Sequence, residues 1–143
     1  LRDANLQELE AKGSGWDPVI YRRARHVITE NQRTLDATHA LKEGDLQKMS
    51  ALMADSHQSL RDDFEVTVPA IDFLVDTIGS VLGDRGGVRM TGGGFGGCVV
   101  ALTPSGQVDA IREAVQQTYT NKTGNTARVF VCRPSAGAGI INL

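Results

Sequence analysis

The segment VRMTGGGFGGCVVAL, residues 88–102, constrains the fold most, because it places a cluster of glycines between two apolar runs. Five of the sixteen glycines fall within six residues, 92–97. Glycine adopts positive φ angles without steric cost, but each glycine costs about 0.5–1 kcal/mol of chain entropy relative to alanine. Two glycines are enough for a hairpin turn. Five therefore predict a strand–loop–strand unit whose loop backbone something else approaches closely.

Helical spacing of apolar residues surrounds this unit. It predicts helices over 18–42, 46–60, 69–82 and 105–123. Asp17 and Asp45 are the predicted N-caps of the first two helices, and Gly44 ends the first. Because the link between those two helices is so short, we expect them to be antiparallel neighbours.

The second half of the chain reads as β-loop-β-α-β. Residues 88–90 and 97–103 are the predicted strands around the glycines, and 128–133 is a predicted last strand. A strand pair closed by a short loop is antiparallel, with helices on one face, so the sequence predicts an α+β fold close to the ferredoxin-like class. The chain then divides into a helical part, a β-loop-β-α-β part and a tail: 1–83, 84–133 and 134–143.

Composition and charge exclude several classes of protein. The net charge is -2, so nothing indicates binding to nucleic acid. The apolar runs are too short to span a membrane, and the charged start LRDANLQELE has no signal-peptide apolar region, so we expect a cytoplasmic protein. Cys98 and Cys132 form no CxxC pair, and we expect both to be buried free thiols. The absence of an initiator Met hints at a fragment.

The remaining polar residues give weaker signals. His26, His39 and His57 lie on predicted helices without an i, i+4 partner histidine or clustered cysteines, which argues against a metal site. His57, Ser59 and Asp62 contain the residue types of a Ser-His-Asp set, but local spacing does not establish that geometry. The arginine-rich stretch of the first helix is most simply a solvated face; its charged residues are Arg22, Arg23, Arg25, Glu30 and Arg33.

Three phosphate-binding interpretations of the glycines compete with a plain tight hairpin. Gly92, Gly94 and Gly97 match G-x-G-x-x-G literally, but that motif opens a helix, whereas a strand-like run follows here. A Walker A loop needs Gly-Lys-Ser/Thr at its end, and Gly97-Cys98 lacks it. The third interpretation is a loop that packs against a ligand held by another domain, with its free N–H groups forming an anion-binding concavity. Thr91 would add a hydroxyl, and Phe95 would wedge against the partner domain.

At this point the sequence resembles a known family. RMTGGGFGGC, residues 89–98, resembles the third signature motif of the GHMP kinases. The galactokinase branch of that family is also similar over RARHVITENQRT (23–34), MADSHQSLRDDFEVTVPAID (53–72), GDRGGVRMTGGGFGGCVVAL (83–102) and VCRPSAGAG (131–139). Homoserine and mevalonate kinases do not share the SHQSLRDDFE block. The resemblance covers nearly the whole chain.

The resemblance implies the C-terminal domain of an ATP-dependent galactose 1-kinase. In such enzymes an N-terminal domain supplies the galactose pocket, most of the Mg²⁺ and ATP site, and the catalytic Asp and Arg. No stretch here matches the second motif PxGxGLGSSAA, so the resemblance assigns no catalytic residue to this chain, which alone should be inactive. It implies that the third-motif residues line the cleft: Thr91, Gly92, Gly93, Gly94, Phe95, Gly96 and Gly97.

Two further cleft candidates and two other functions stay open. Ser59 and Arg61 lie at the exit of the second helix, and Arg61 suits phosphate. An Arg–Asp network that fixes the following connector is the simpler interpretation of Arg61. The alternatives to a sugar kinase are a non-catalytic galactokinase-like sensor, which binds sugar and ATP but acts on a partner protein, and a ferredoxin-like regulatory module that binds a small ligand.

Overall fold

The computed structural model of the chain describes residues 1–135, 137 and 139. Helices dominate the first part, and a β-hairpin followed by one helix forms the second. The elements in chain order are α1 (Leu6–Lys12), α2 (Pro18–Glu43), α3 (Leu46–Asp62), α4 (Pro69–Leu82), β1 (Gly87–Thr91), β2 (Cys98–Leu102), a 3-10 turn (Ser105–Gln107) and α5 (Val108–Thr123).

Local capping explains where α2 and α3 begin and end. The Asp17 carboxylate accepts from two backbone N–H groups of the first turn of α2, and Pro18 occupies a position where a missing N–H costs nothing. Gly44 ends α2 in the left-handed conformation, with φ of 70°. Asp45 then caps α3, accepting from the Lys48 N–H at 2.8 Å. The two helices share a small core made of Ala40, Met49, Leu52 and Met53.

The hairpin supplies the sheet and lies against α3, α4 and α5. β1 and β2 pair antiparallel, with Gly87 opposite Leu102 and Thr91 opposite Cys98. The largest core cluster joins α4, α5 and β1, and it consists of Val75, Ile78, Leu82, Val88, Ile111, Val115 and Tyr119. A second cluster, formed by Leu60, Ile71 and Met90, holds the loop end of β1 against the ends of α3 and α4.

The structure confirms the α+β class, with an antiparallel sheet packed against helices. It also has a helix, α1, that the apolar spacing did not predict. The signal for α1 was a capping box: Asn5 accepts from the Glu8 N–H, and the Glu8 carboxylate accepts from the Asn5 N–H.

The predicted strand over 128–133 is wrong. This stretch has no β-ladder in the structure, and its three apolar side chains are all exposed: Val129, Phe130 and Val131. Strand residues alternate between a buried and an exposed face, and a segment with neither that alternation nor a bonded neighbour is not a strand. The described residues therefore form a two-stranded sheet. Much of the predicted tail, namely residues 136, 138 and 140–143, lies outside the described residues.

The expectation of buried thiols is also wrong, because Cys98 and Cys132 are both free and exposed. Cys98 begins β2, and one face of β2 meets solvent, since Val100 is also exposed. Cys132 lies in the stretch that is not a strand. Within the described chain no helix is both long enough and apolar enough to cross a membrane.

Candidate functional site

The glycine loop, residues 91–97, joins the two strands through a backbone that only glycine adopts easily. Four of its glycines have positive φ angles: Gly92 at 97°, Gly94 at 85°, Gly96 at 130° and Gly97 at 91°. Phe95 also has a positive φ, 58°, which is a strained conformation for a bulky residue. Thr91 is exposed at the start of the loop and pairs with Cys98 across the hairpin.

Most of the loop backbone is open. In the part of the chain that the structure describes, the N–H groups of Gly92, Gly93, Gly94 and Gly96 donate to no other protein group. A Cβ atom built on Gly92, Gly93 or Gly96 would meet nothing within 4 Å. Successive free N–H groups in such a turn form a concavity of partial positive charge, which suits an anion such as phosphate.

One point of the loop is closely packed. A Cβ atom on Gly94 would lie 2.7 Å from the Val66 Cβ and 2.8 Å from the Val66 carbonyl oxygen. The next residue, Phe95, donates its N–H to that same carbonyl at 2.7 Å. Its side chain points away and is 75% exposed. The loop is therefore anchored on Val66, while the Phe95 ring is free for a partner surface.

Ser59 and Arg61, the other cleft candidates, do not join the loop. Ser59 is buried; its hydroxyl donates to the Asp63 carboxylate and lies 3.0 Å from Nδ1 of His26. Arg61 pairs with its neighbour Asp62 inside α3, Nε to Oδ1 at 2.8 Å, so this pair does not reach the connector that an Arg–Asp network was expected to fix. Arg61 lines a groove of about 560 Å³ between α3, α4 and the start of β1, to which the glycine loop contributes nothing.

The arginine-rich stretch of α2 is not a simple solvated face. Its guanidinium groups reach across to residues that follow α3. Arg22 pairs with Glu65 at 2.9 Å and Arg23 pairs with Glu65 at 2.5 Å, while Arg25 pairs with the buried carboxylate of Asp63. The spacing within α2 could not show this, because the acidic partners lie about forty positions further along the chain.

Glu30 ties α2 to α3 and β1. Its carboxylate accepts from the Ser56 hydroxyl at 2.6 Å and from both Arg33 and Arg89 at 3.0 Å. Although burial opposes it, the Ser56 hydrogen bond and the Arg33 guanidinium, with Arg89 beside them, hold the pKa of Glu30 below its usual value. The middle of β1 is thus linked to both long helices.

His26 and His57 are buried, and both make contacts inside the protein. His57 Nδ1 accepts from the Met90 N–H at 3.3 Å, so its proton is on Nε2, 3.2 Å from Asp72 Oδ1 in a poorly aligned contact. The His26 ring stacks on Phe64 with centroids 4.5 Å apart. Burial lowers the pKa of both histidines and outweighs their acidic neighbours. Both are neutral near pH 7.

These contacts separate the members of the suggested Ser-His-Asp set. Ser59 contacts His26 rather than His57, and it donates its hydroxyl hydrogen to Asp63 rather than Asp62, so His57, Ser59 and Asp62 do not form a Ser-His-Asp set. Among the described residues, no group of three or more His, Cys, Asp or Glu could hold a metal ion. The glycine loop itself offers backbone N–H groups without an acceptor in the described part of the protein, and such groups suit an anion.

Comparison with known proteins places the chain in a family. The family description "GHMP kinases C terminal" matches residues 37–121, which include the glycine loop and most of α3, α4 and α5. The chain belongs to the GHMP kinases. It corresponds to the C-terminal domain of these enzymes.

A solved galactokinase is similar to this GHMP kinase domain in fold and sequence. The structure of Lactococcus lactis galactokinase complexed with galactose superposes with a TM-score of 0.79 and is 39% identical in sequence. The match covers 86% of this chain and 32% of that galactokinase. The domain thus spans about a third of the length of the enzyme it matches.

Sequence reasoning identified the loop but missed what holds it. Val66 belongs to the stretch 63–68 between α3 and α4, to which the sequence assigned no helix or strand. Its contact with Gly94 and Phe95 joins positions almost thirty residues apart. The one signal in the sequence was that the stretches 53–72 and 83–102 both resemble galactokinases. That resemblance does not indicate that the two stretches touch.

Proposed function

We propose that this domain forms one wall of the active-site cleft of a galactokinase-type sugar kinase, with the glycine loop facing the ATP phosphates. The observation that carries the proposal is the row of free N–H groups on Gly92, Gly93, Gly94 and Gly96. Such a row stabilises negative charge without a lysine or a helix N-terminus. Membership of the GHMP kinases and similarity to a galactokinase solved with galactose support the same assignment.

The proposed reaction transfers the γ-phosphoryl group of ATP to the 1-hydroxyl of galactose. The sugar oxygen forms a new bond to phosphorus while the bond to the ADP oxygen breaks, and the hydroxyl proton leaves to a base. Catalysis of this kind is mostly positioning and charge stabilisation. The loop would stabilise charge on the phosphate oxygens, and Phe95 would dock on a companion domain that supplies the base and the galactose pocket.

The residues of this domain fit phosphate but not the metal. The glycine loop carries no carboxylate, and nowhere in the described chain do three potential metal-binding side chains cluster. Mg²⁺ prefers carboxylate and phosphate oxygens. We therefore assign Mg²⁺ to the companion domain and the nucleotide. We also propose, as the sequence led us to expect, that the enzyme is cytoplasmic.

The test is ATP-dependent phosphorylation of galactose by this chain and by the product of the complete reading frame that encodes it. We expect galactose 1-phosphate and ADP in equal amounts from the latter, and no turnover from these 143 residues alone. Glucose in place of galactose controls for non-specific ATP hydrolysis.

Two results would overturn the proposal. Binding of galactose and ATP without phosphorylation would favour the sensor that acts on a partner protein. Binding of neither would favour a regulatory module for another small ligand.

A further inference from the structure

The stretch between α3 and α4, residues 63–68, contacts α2 on one side and the glycine loop on the other. We call it the connector. We infer that the connector positions the glycine loop: the α2 arginines hold the connector in place, and the connector holds the loop. We call this series of contacts the strap, and Asp63 and Glu65 are its positioning residues. The catalytic consequence rests on the proposed function, whereas the mechanical link does not.

The first half of the strap is a set of charged contacts from α2. Arg25 pairs with the Asp63 carboxylate, and Arg23 donates to the Asp63 backbone carbonyl. Arg22 and Arg23 both pair with the Glu65 carboxylate. Between these two acids, the ring of Phe64 stacks on His26 at 4.5 Å and lies under the Arg23 guanidinium at 5.9 Å.

Asp63 is the stronger of the two anchors. Its side chain is only 7% exposed, and it accepts from both Arg25 and the Ser59 hydroxyl. The Arg25 side chain is 45% exposed, so only the Asp63 end of this pair is buried, and loss of Arg25 would leave that buried carboxylate without its charged partner. The Glu65 carboxylate is more exposed, and exposed ion pairs stabilise little by themselves.

Glu65 contributes in a second way, through its backbone. Its φ angle is 55°, a left-handed conformation that non-glycine residues rarely adopt. Such a conformation persists only where surrounding contacts determine it. The Val66 N–H, which donates to the Leu60 carbonyl at 3.1 Å, and the two arginines on the Glu65 carboxylate supply those contacts. This turn directs the next carbonyl, that of Val66, toward the loop.

The second half of the strap is Val66. Its carbonyl accepts the Phe95 N–H, and its Cβ lies so near Gly94 that no side chain fits there. Over the described residues, this is the one backbone hydrogen bond between the glycine loop and a part of the chain outside the hairpin. A shift of the connector would therefore move the free N–H groups on either side of Phe95.

The mechanical link is tested on this chain by amide hydrogen exchange of Phe95. The variant Asp63→Asn keeps the side-chain size but removes the charge that Arg25 binds. Glu65→Gln tests the more exposed anchor and covers the case in which Asp63→Asn does not fold. We expect exchange at Phe95 to become about tenfold faster or more, with amides in the centre of β1 changing much less.

The matched control is Asp62→Asn. Asp62 is also a carboxylate at the end of α3 with an arginine partner, but that partner is Arg61 on the same helix. We expect no change at Phe95. Equal acceleration at Phe95 and at the centre of β1, or the same effect in Asp62→Asn, would overturn the strap.

The catalytic consequence is measured on the product of the complete reading frame. A misplaced loop should raise KM for ATP and lower kcat, with kcat/KM for ATP falling about tenfold or more. Simple loss of folded enzyme would lower kcat and leave KM unchanged, which would contradict a positioning role. If no kinase activity exists, the proposed function fails, while the exchange of Phe95 still decides the strap.

Discussion

At the scale of single residues, neighbouring glycines of the loop have different physical reasons to be glycine. Gly93 has neither a positive φ angle nor any atom within 4 Å of a built Cβ. Gly94 has both a positive φ of 85° and the Val66 contact at 2.7 Å. Gly94 is therefore required by the fold of this domain, whereas Gly93 keeps the space above its own N–H open.

We predict that Gly94→Ala lowers the free energy of unfolding by about 1–3 kcal/mol, because it adds both backbone strain and a clash. The matched variant Gly93→Ala should change the free energy of unfolding by less than about 0.5 kcal/mol. Urea denaturation of this chain measures both. Equal losses in the two variants would show that the Val66 contact does not determine the loop conformation.

The same two residues show what the sequence can and cannot tell. Five glycines between apolar runs predicted the hairpin and a loop whose backbone something else approaches closely, because each glycine removes a side chain whatever the surroundings. Nothing in the spacing separates Gly93 from Gly94, since that difference comes from Val66, which is remote in sequence. The close partner that the glycines predicted is, at Gly94, part of the same chain.

At the scale of elements, the helices followed from local signals and their contacts did not. Asp17, Pro18 and Gly44 fix the ends of α2, and each acts within one turn of the helix. The charged residues of α2 have partners on α3, the connector and β1. Because these partners are remote in sequence, the sequence of α2 alone resembles that of a solvent-exposed helix. Residues 128–133 show the opposite error. Their strand propensity, a local signal, predicted a strand, but no neighbouring strand of the described chain is hydrogen-bonded to them.

Glu30 tests whether the contacts of α2 hold the elements together. We predict that Glu30→Ala lowers the free energy of unfolding by about 1–3 kcal/mol, because Ser56, Arg33 and Arg89 all lose their shared acceptor. Glu113→Ala on α5 is the control, since Glu113 is exposed and accepts only from Gln117. Chemical denaturation should separate the two variants. A Glu30→Ala variant as stable as Glu113→Ala would mean that this network contributes no stability.

At the scale of the whole molecule, the two buried histidines make the stability of the fold depend on pH. His26 lies against the connector and His57 against β1, so both support the elements that carry the glycine loop. Around His26, Glu30 and Asp63 favour the protonated ring, whereas Arg33 and Arg89 oppose it. Around His57, Asp72 and Asp76 favour protonation and Arg61 opposes it. Burial prevails over these charges, and the fold favours the neutral imidazole.

The sign of the pH dependence follows from that preference. The pKa of both histidines lies below the ordinary value of 6.5 in the folded chain. As pH falls through 6.5, the unfolded chain therefore binds more protons, and the free energy of unfolding decreases. The lowered pKa of Glu30 acts only later, since its stabilisation is present above its ordinary value of 4.5 and is lost as pH falls through its folded pKa.

We predict that the free energy of unfolding falls between pH 7.5 and pH 5, as urea titrations at fixed ionic strength would measure. The double variant His26→Asn, His57→Asn should lose most of this slope. An asparagine does not titrate in that range; its oxygen can replace Nδ1 of His57 as acceptor, and its NH2 group can replace the Nδ1–H of His26 as donor to the Ser59 oxygen. His39→Asn, at an exposed position on α2, should keep the slope. A slope that survives in the double variant would assign the pH dependence to other groups and leave these histidines a packing role alone.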